Sequence, residues 1–190
     1  KPIIMSVGMA SLDEIEDAVE AVKSTGNNNL ALLRCSSVYP AIPENMNLWT
    51  IQDMKKRFDL PVGLSDHSMG HIAAVTAVAL GASIIEKHFC LGRDIENPDS
   101  SFSMEPVEFA AMVKAIRDCE RAMGKVSYEL SQAESDSRNI RKPIFVSANI
   151  KAGDTFTSDN IRVVRPGYGL PPKFYEEILG KTAKCDILFG

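Results

Sequence analysis

Four short apolar runs alternate with four amphipathic segments in the first two-thirds of the chain, and this alternation restricts the fold more than any other feature. The apolar runs cover residues 2–7, 30–35, 61–65 and 83–89, and the segments with helical spacing cover 11–26, 46–58, 71–81 and 105–124. Strands that are apolar throughout are typical of a parallel sheet covered on both faces. We therefore predict an α/β fold of four strand–helix units in series.

Polar side chains cluster at the carboxyl end of each predicted strand. Ser6 ends the first run, "RCSSVYP" (34–40) the second, "SDHS" (65–68) the third and "EKH" (86–88) the fourth. In an α/β barrel these ends line the active site, whereas a doubly wound sheet concentrates its polar ends at one crevice. Polar ends on all four strands favour half of an eight-stranded barrel. Because four parallel strands leave two open edges, we expect a fragment, or a sheet that another copy or segment closes.

The composition changes after residue 125, which predicts three regions. Residues 1–125 form the half barrel, and the polar stretch 126–140 is a linker. Residues 141–190 are rich in Pro and Gly and form a small β-rich module, barely large enough for a stable core.

Charge and cysteine spacing limit the partners. The net charge is −4, from 21 basic and 25 acidic residues, so we expect no nucleic acid partner. No apolar run approaches the roughly 18 residues of a membrane span, so we expect no membrane partner. The four cysteines are scattered without paired spacing, which argues against a zinc knuckle or a disulfide framework and fits a cytoplasmic protein.

Two histidines end neighbouring predicted strands, His67 the third and His88 the fourth. Both are expected at the same rim of the barrel, where two imidazoles suit a divalent metal with water or substrate in its other positions. Such an open site polarises a carbonyl group. Two unrelated hydrogen-bonding histidines are the alternative, and the spacing alone does not decide between them.

Strand alternation places Glu86 on the same face as His88 and turns Lys87 toward the helices. Glu86 then orients a histidine or contacts substrate, or it forms a salt bridge at the rim.

Hydroxyl groups also end the strands, and they suit phosphate or carboxylate ligands, although serines are equally common as helix N-caps. The candidates are Ser6, Ser36, Ser37 and Ser65. Tyr39 either contacts a ligand or is an aromatic residue of a turn. Arg165, before a Pro-Gly turn, either presents its guanidinium group to a ligand or is an ordinary surface arginine.

Several motifs occur in a fixed order along essentially the whole chain: "GLSDHSMG", "VALGASIIEKHF", "NPDSSFSMEP" and "RPGYGLPP" followed by "ILGK". Together they resemble the sialic acid synthase family, the phosphoenolpyruvate-dependent nonulosonic acid synthases. The resemblance implies the C-terminal half of a (β/α)8 TIM barrel, without its first four strands, followed by an antifreeze-like (SAF) domain truncated at its C-terminus.

The resemblance implies roles for the residues at the strand ends. His67 and His88 match two ligands of a divalent metal, Mn²⁺ in this family, and alternation along the strand places Glu86 with them in the catalytic site. Ser6 and Ser65 match contacts to phosphoenolpyruvate.

The resemblance also implies contacts to the second substrate. Ser37 and Tyr39 match positions beside the ligand, and Asp99 matches a contact to the amino sugar. Arg165 matches an arginine that reaches the active site of the neighbouring subunit, which implies a domain-exchanged homodimer.

The implied reaction joins phosphoenolpyruvate to the open-chain aldehyde of an N-acetylated amino sugar, with addition of water and release of phosphate by C–O cleavage. "NPDSSFSMEP" and "RPGYG" are similar to the pseudaminic acid branch of the family, which implies a 2,4-diacetamido-2,4,6-trideoxy-altrose. A carboxylate and lysines that the family supplies from its first half are absent, so the chain alone is expected to be inactive. The alternatives are an N-acetylneuraminate or legionaminate synthase, a non-catalytic carbohydrate-binding protein, and an inactive fragment.

Overall fold

A computed structural model describes residues 1–165 and 168–190, and in it the chain forms two compact units, residues 1–125 and 126–190. The first unit is a parallel sheet with the strands in chain order and a helix after each strand. Its elements are β1 (Ile3–Ser6), α1 (Leu12–Ser24), β2 (Leu30–Cys35), α2 (Thr50–Phe58), β3 (Val62–Asp66), α3 (Ile72–Ala79), β4 (Ile85–Lys87) and α4 (Pro106–Met123). The predicted α/β half barrel is confirmed.

The centre of the sheet is buried on both faces. Adjacent strand residues point to opposite faces, yet Leu32 and Leu33 of β2 are both fully buried. On one face Leu32 packs with Ile51 of α2 and Leu64 of β3. On the other face Leu33 lies over Gly63, where a side chain would have no room. The continuous apolar runs therefore reflect burial on both sides.

Two elements are shorter than the sequence predicts. Helix α2 begins at Thr50 instead of residue 46, because Asn47 adopts a positive φ of 47° that interrupts helical geometry. Strand β4 covers only Ile85–Lys87 because the chain then changes partners, and the carbonyl of His88 accepts a hydrogen bond from the N–H of Met104 at 2.9 Å.

The second unit has a small core of its own. Strands β5 (Ile144–Val146) and β6 (Ile161–Val163) pair antiparallel, and Ile150, Ile161 and Ala183 are its buried centre. The helices of this unit are α5 (Gln132–Asp136) and α6 (Tyr175–Ile178).

The segment that we predicted as a linker, 126–140, contains helix α5 and a 3-10 turn over Ser137–Ile140. Ser131 and Glu134 form a capping box, in which each side chain accepts a hydrogen bond from the backbone N–H of the other residue. No helix in the part of the chain that the structure describes has both the length and the apolar content of a membrane span.

Replacing Gly63 with Ala tests the close packing at the centre of the sheet. A Cβ there would collide with the carbonyl oxygen of Ile84 and lie 2.7 Å from Leu33 Cδ2. Because a backbone atom cannot move aside cheaply, we expect a loss of about 1–3 kcal/mol in the free energy of unfolding, measured by urea denaturation. Gly92→Ala is the control, since the new Cβ would meet only the flexible side chain of Asp94. Equal losses in both variants would contradict this packing.

Asp186 links two segments of the second unit and makes its stability depend on pH. The carboxylate accepts hydrogen bonds from Lys151 Nζ and from the N–H of Ala152, both at 2.8 Å, and these bonds lower the pKa of Asp186 below its ordinary 3.8. A depressed pKa in the folded state means that the stabilisation is present above the ordinary pKa and is lost as the pH falls through the folded value. We therefore expect Asp186→Asn to lower the melting temperature at pH 7, and the difference from the unmodified protein to shrink as the pH falls below about 4. A difference that stays constant from pH 7 to 3 would show that ionised Asp186 contributes nothing.

Candidate active site

The carboxyl ends of β3 and β4 bring four predicted site residues to one cavity. Ser65, His67, Glu86 and His88, together with Lys87, line a volume of about 250 Å³. Ser65 pairs with Glu86 in the register of the two strands, and its hydroxyl donates to Glu86 Oε1 at 2.7 Å. Residues 21 positions apart in sequence therefore become neighbours through parallel pairing.

The hydrogen bonds of His67 determine which of its ring nitrogens is available. The centroids of the His67 and His88 rings lie 5.2 Å apart, with an angle of 68° between the planes. His67 Nδ1 lies 2.9 Å from the carbonyl oxygen of Ser36. Because a carbonyl only accepts, the proton is on Nδ1, and Nε2 of the neutral ring keeps its lone pair for a ligand. This role of Ser36 was not predicted, since a backbone carbonyl leaves no signature in the residue type.

The donor set fits an open metal site and not a closed structural one. Within residues 1–165 and 168–190, no group of three or more His, Cys, Asp or Glu side chains is arranged to hold a metal ion. The chain offers two imidazoles, His67 and His88, and imidazole suits several divalent transition metals. Water or substrate oxygen atoms then fill the remaining positions, as a site that polarises a substrate requires.

Two aromatic rings pack against the histidine pair. Tyr39 stacks on His67 with centroids 4.1 Å apart, and Phe102 lies 5.0 Å from His88 and 5.4 Å from Tyr39. Phe102 was not among the predicted site residues, although it lies within the "NPDSSFSMEP" motif. Tyr39 and Phe102 therefore pack against the histidine rings, whereas the cavity itself is lined by Ser65, Glu86, Lys87 and the two histidines.

Asp99 and Ser37 lie at the edge of this arrangement. Asp99 precedes the 3-10 turn Ser100–Phe102, its side chain is 56% exposed, and its Oδ2 is 3.6 Å from His88 Nδ1. Ser37 Oγ contacts Cys35 Sγ at 3.7 Å and lies over Gly8, where a side chain would collide with it.

The remaining two predicted residues, like Ser37, Tyr39 and Asp99, are not among the residues that line the cavity. Ser6 ends β1, two strands away from β3, and is exposed, although alternation and register place it on the same face as Ser65. Arg165 is an exposed residue of the second unit. The next two residues of its motif, Pro166 and Gly167, lie outside the described residues.

Comparison with known proteins gives matches along the whole chain. The NeuB family profile matches residues 1–128 and the SAF domain profile matches residues 142–190. A pseudaminic acid synthase from Campylobacter jejuni is 46% identical over 100% of this chain and 55% of its own length. An N,N'-diacetyllegionaminic acid synthase from the same organism is 41% identical over 96% of this chain and 56% of its own length.

A solved structure has the same fold. The crystal structure of N-acetylneuraminic acid (sialic acid) synthetase from Leptospira borgpetersenii, in complex with citrate, aligns with a TM-score of 0.65 at 36% identity, over 72% of this chain and 48% of the solved chain. The chain spans about half the length of the curated relatives it matches. The family resemblance drawn from the motifs is confirmed, and the chain belongs to the NeuB family.

Proposed function

We propose that this chain carries part of the active site of an enzyme that condenses phosphoenolpyruvate with an N-acetylated amino sugar. One observation supports this most directly: His67, His88, Ser65 and Glu86 share one cavity at the carboxyl ends of neighbouring parallel strands. In a NeuB family chain, two imidazoles suit a metal ion that polarises an aldehyde, the hydroxyl suits an oxygen of phosphoenolpyruvate, and the carboxylate suits the water that adds to it.

The proposed reaction forms one C–C bond and breaks one C–O bond, and these two steps define the tasks of the site. C3 of phosphoenolpyruvate forms a C–C bond with the aldehyde carbon of the sugar, and the aldehyde oxygen takes up negative charge. Water adds at C2, the bond between C2 and the phosphate oxygen breaks, and inorganic phosphate leaves. The product is a 2-keto acid lengthened by three carbons. Holding two reactants in register and stabilising the developing alkoxide are therefore the main tasks of the protein.

The residues of the cavity divide these tasks in our proposal. The hydroxyl of Ser65, now donated to Glu86, turns to an oxygen of phosphoenolpyruvate, and the Glu86 carboxylate then accepts a hydrogen bond from the water that adds at C2. His67 and His88 would hold a divalent ion, Mn²⁺, through their ring nitrogens. Such an ion would supply Lewis-acid polarisation of the aldehyde oxygen. The fixed proton on His67 Nδ1 keeps its Nε2 in the ligating form.

We propose 2,4-diacetamido-2,4,6-trideoxy-altrose as the sugar and pseudaminic acid as the product. The "NPDSSFSMEP" motif and the similarity to a pseudaminic acid synthase support this choice. The aromatic rings of Tyr39 and Phe102 beside the histidines suit the methyl group of a 6-deoxy sugar better than a hydroxymethyl group. A legionaminate synthase is the second candidate, supported by the 41% identity to such an enzyme.

We further propose a domain-exchanged homodimer in which Arg165 acts at the active site of the partner. The family resemblance and the exposed position of Arg165 support this arrangement. A guanidinium group offers several N–H donors in a fixed plane, which suits hydroxyl and carboxylate oxygen atoms.

Replacing the two histidines tests the metal site. We expect His67→Ala and His88→Ala each to abolish Mn²⁺ binding measured by calorimetry, because one imidazole alone cannot hold the ion. His71→Ala is the control, since His71 precedes helix α3 and does not line the cavity. Unchanged Mn²⁺ affinity in both folded site variants would contradict the assignment.

A phosphate-release assay tests the choice of sugar, in the longest natural protein that carries this chain. We expect Mn²⁺-dependent release from phosphoenolpyruvate with the diacetamido-trideoxy-altrose, and at most about one-hundredth of that rate with N-acetylmannosamine, the discrimination that hydrophobic pockets achieve. Faster release with N-acetylmannosamine would contradict the proposed sugar. No release with any of these sugars, in a folded protein that binds Mn²⁺, would contradict the catalytic proposal and favour a carbohydrate-binding protein.

A further inference from the structure

A buried ion pair lies immediately behind the two histidines. Lys87 Nζ donates to Asp66 Oδ2 at 2.8 Å, and the side chains of Lys87 and Asp66 are 1% and 0% exposed. Asp66 directly precedes His67 in the chain, and Lys87 directly precedes His88. Lys87 borders the cavity, but its ammonium group is turned away from it and bonds to Asp66 and Ser68 on the face toward the helices, while the histidines point into the cavity.

The same two side chains also hold the turn that carries His67. Asp66 Oδ1 accepts hydrogen bonds from the N–H and the hydroxyl of Ser68, at 2.9 and 2.7 Å. Lys87 Nζ also donates to the carbonyl oxygen of Ser68. The backbone is thus fixed on both sides of His67 by groups that belong to one buried network. We call Asp66, Ser68 and Lys87 the strand-end clamp.

The clamp is the last direct link between β3 and β4. The pairing of the two strands ends at Asp66 and Lys87. Beyond it, the carbonyl of His67 accepts from the N–H of Ala41 and the carbonyl of His88 accepts from the N–H of Met104, each at 2.9 Å. The two histidines therefore leave the sheet toward different partners, and the clamp ties together the backbone segments that carry them.

We propose that the strand-end clamp sets the separation and orientation of the His67 and His88 rings, and so tunes the affinity for a divalent ion. Its members are positioning residues, since they act through the backbone and touch no reacting atom. The effect on metal affinity rests on the proposed function, whereas the effect on ring geometry does not. A buried ion pair that served only stability would leave both properties unchanged in any variant that still folds.

Three variants and one control separate positioning from stability. Lys87→Met removes both donated hydrogen bonds, Asp66→Asn keeps the acceptor for Ser68 but removes the charge, and Ser68→Ala removes a single bond. Ile51→Ala is the matched control, because Ile51 is fully buried in the same unit and packs in the core from helix α2. Each protein is measured at a temperature where circular dichroism shows it to be folded.

Two measurements report on the clamp. The first is the nuclear Overhauser effect between the His67 and His88 ring protons without metal, which reports their separation. The second is the dissociation constant for Mn²⁺. We expect Lys87→Met to weaken the Overhauser effect and to raise the dissociation constant at least about tenfold, as substitution of residues that orient metal ligands does elsewhere. Asp66→Asn and Ser68→Ala should give smaller changes of the same sign, and Ile51→Ala should stay within about twofold.

Each outcome decides the proposal. If Lys87→Met does not fold, Asp66→Asn and Ser68→Ala provide the test. Unchanged Overhauser effects and Mn²⁺ affinities in all folded clamp variants would overturn the proposal, and so would equal changes in Ile51→Ala. If the unmodified protein binds no Mn²⁺, the proposed metal site is wrong. The Overhauser effect alone then tests whether the clamp positions the two rings. An effect that weakens in the clamp variants and persists in Ile51→Ala then supports positioning, and an effect that persists in every variant overturns it.

Discussion

The pairing of Asp66 with Lys87 across the ends of β3 and β4 is the constraint on which the candidate site depends. Strand side chains alternate between faces, so a slip of one residue in either strand would turn one histidine toward the helices and away from the cavity. Such a slip would also leave a buried charge without its partner, which costs several kcal/mol. The ion pair thus opposes the one error in register that would destroy the site.

The same register brings polar groups to the histidines, and the loops after β2 and β4 bring aromatic rings. Ser65 and Glu86 are paired residues at the strand ends, and they supply hydroxyl and carboxylate groups at one side of the histidines. Tyr39 and Phe102 come from the segments that follow β2 and β4, and their rings pack against His67 and His88. The histidine pair thus lies beside both polar groups that can contact a substrate and aromatic rings that can contact its apolar parts.

Much of the first unit could be predicted because its strands are buried on both faces. Continuous apolar runs such as 30–35 and 61–65 cannot form a half-exposed strand or an amphipathic helix, because they have no polar face. Their predicted bounds lie close to those of β2 and β3. Helix α5 was missed because its sequence is polar, and only the local capping box of Ser131 and Glu134 marks it. Strand β4 was predicted too long because its end is set by a distant partner, Met104, which periodicity cannot reveal.

The candidate site was predictable to a similar extent. Parallel strands in chain order were enough to predict that His67 and His88 are neighbours, and alternation was enough to separate Glu86 from Lys87. The carbonyl of Ser36 was missed because any residue can supply a backbone acceptor. The ring of Phe102 was missed because a loop, not a strand, brings it to His88. These omissions share one cause, since each contact depends on the path of a loop.

Anomalous X-ray scattering from crystals grown with Mn²⁺ is the most decisive single experiment on the histidine pair, because it locates the ion without assuming any activity. We expect an anomalous peak within coordination distance of both His67 Nε2 and the His88 ring, with the remaining positions of the ion open to the cavity that Ser65 and Glu86 also line. A peak that contacts only one of the two rings, or an ion bound elsewhere with the cavity intact, would contradict the proposed metal site.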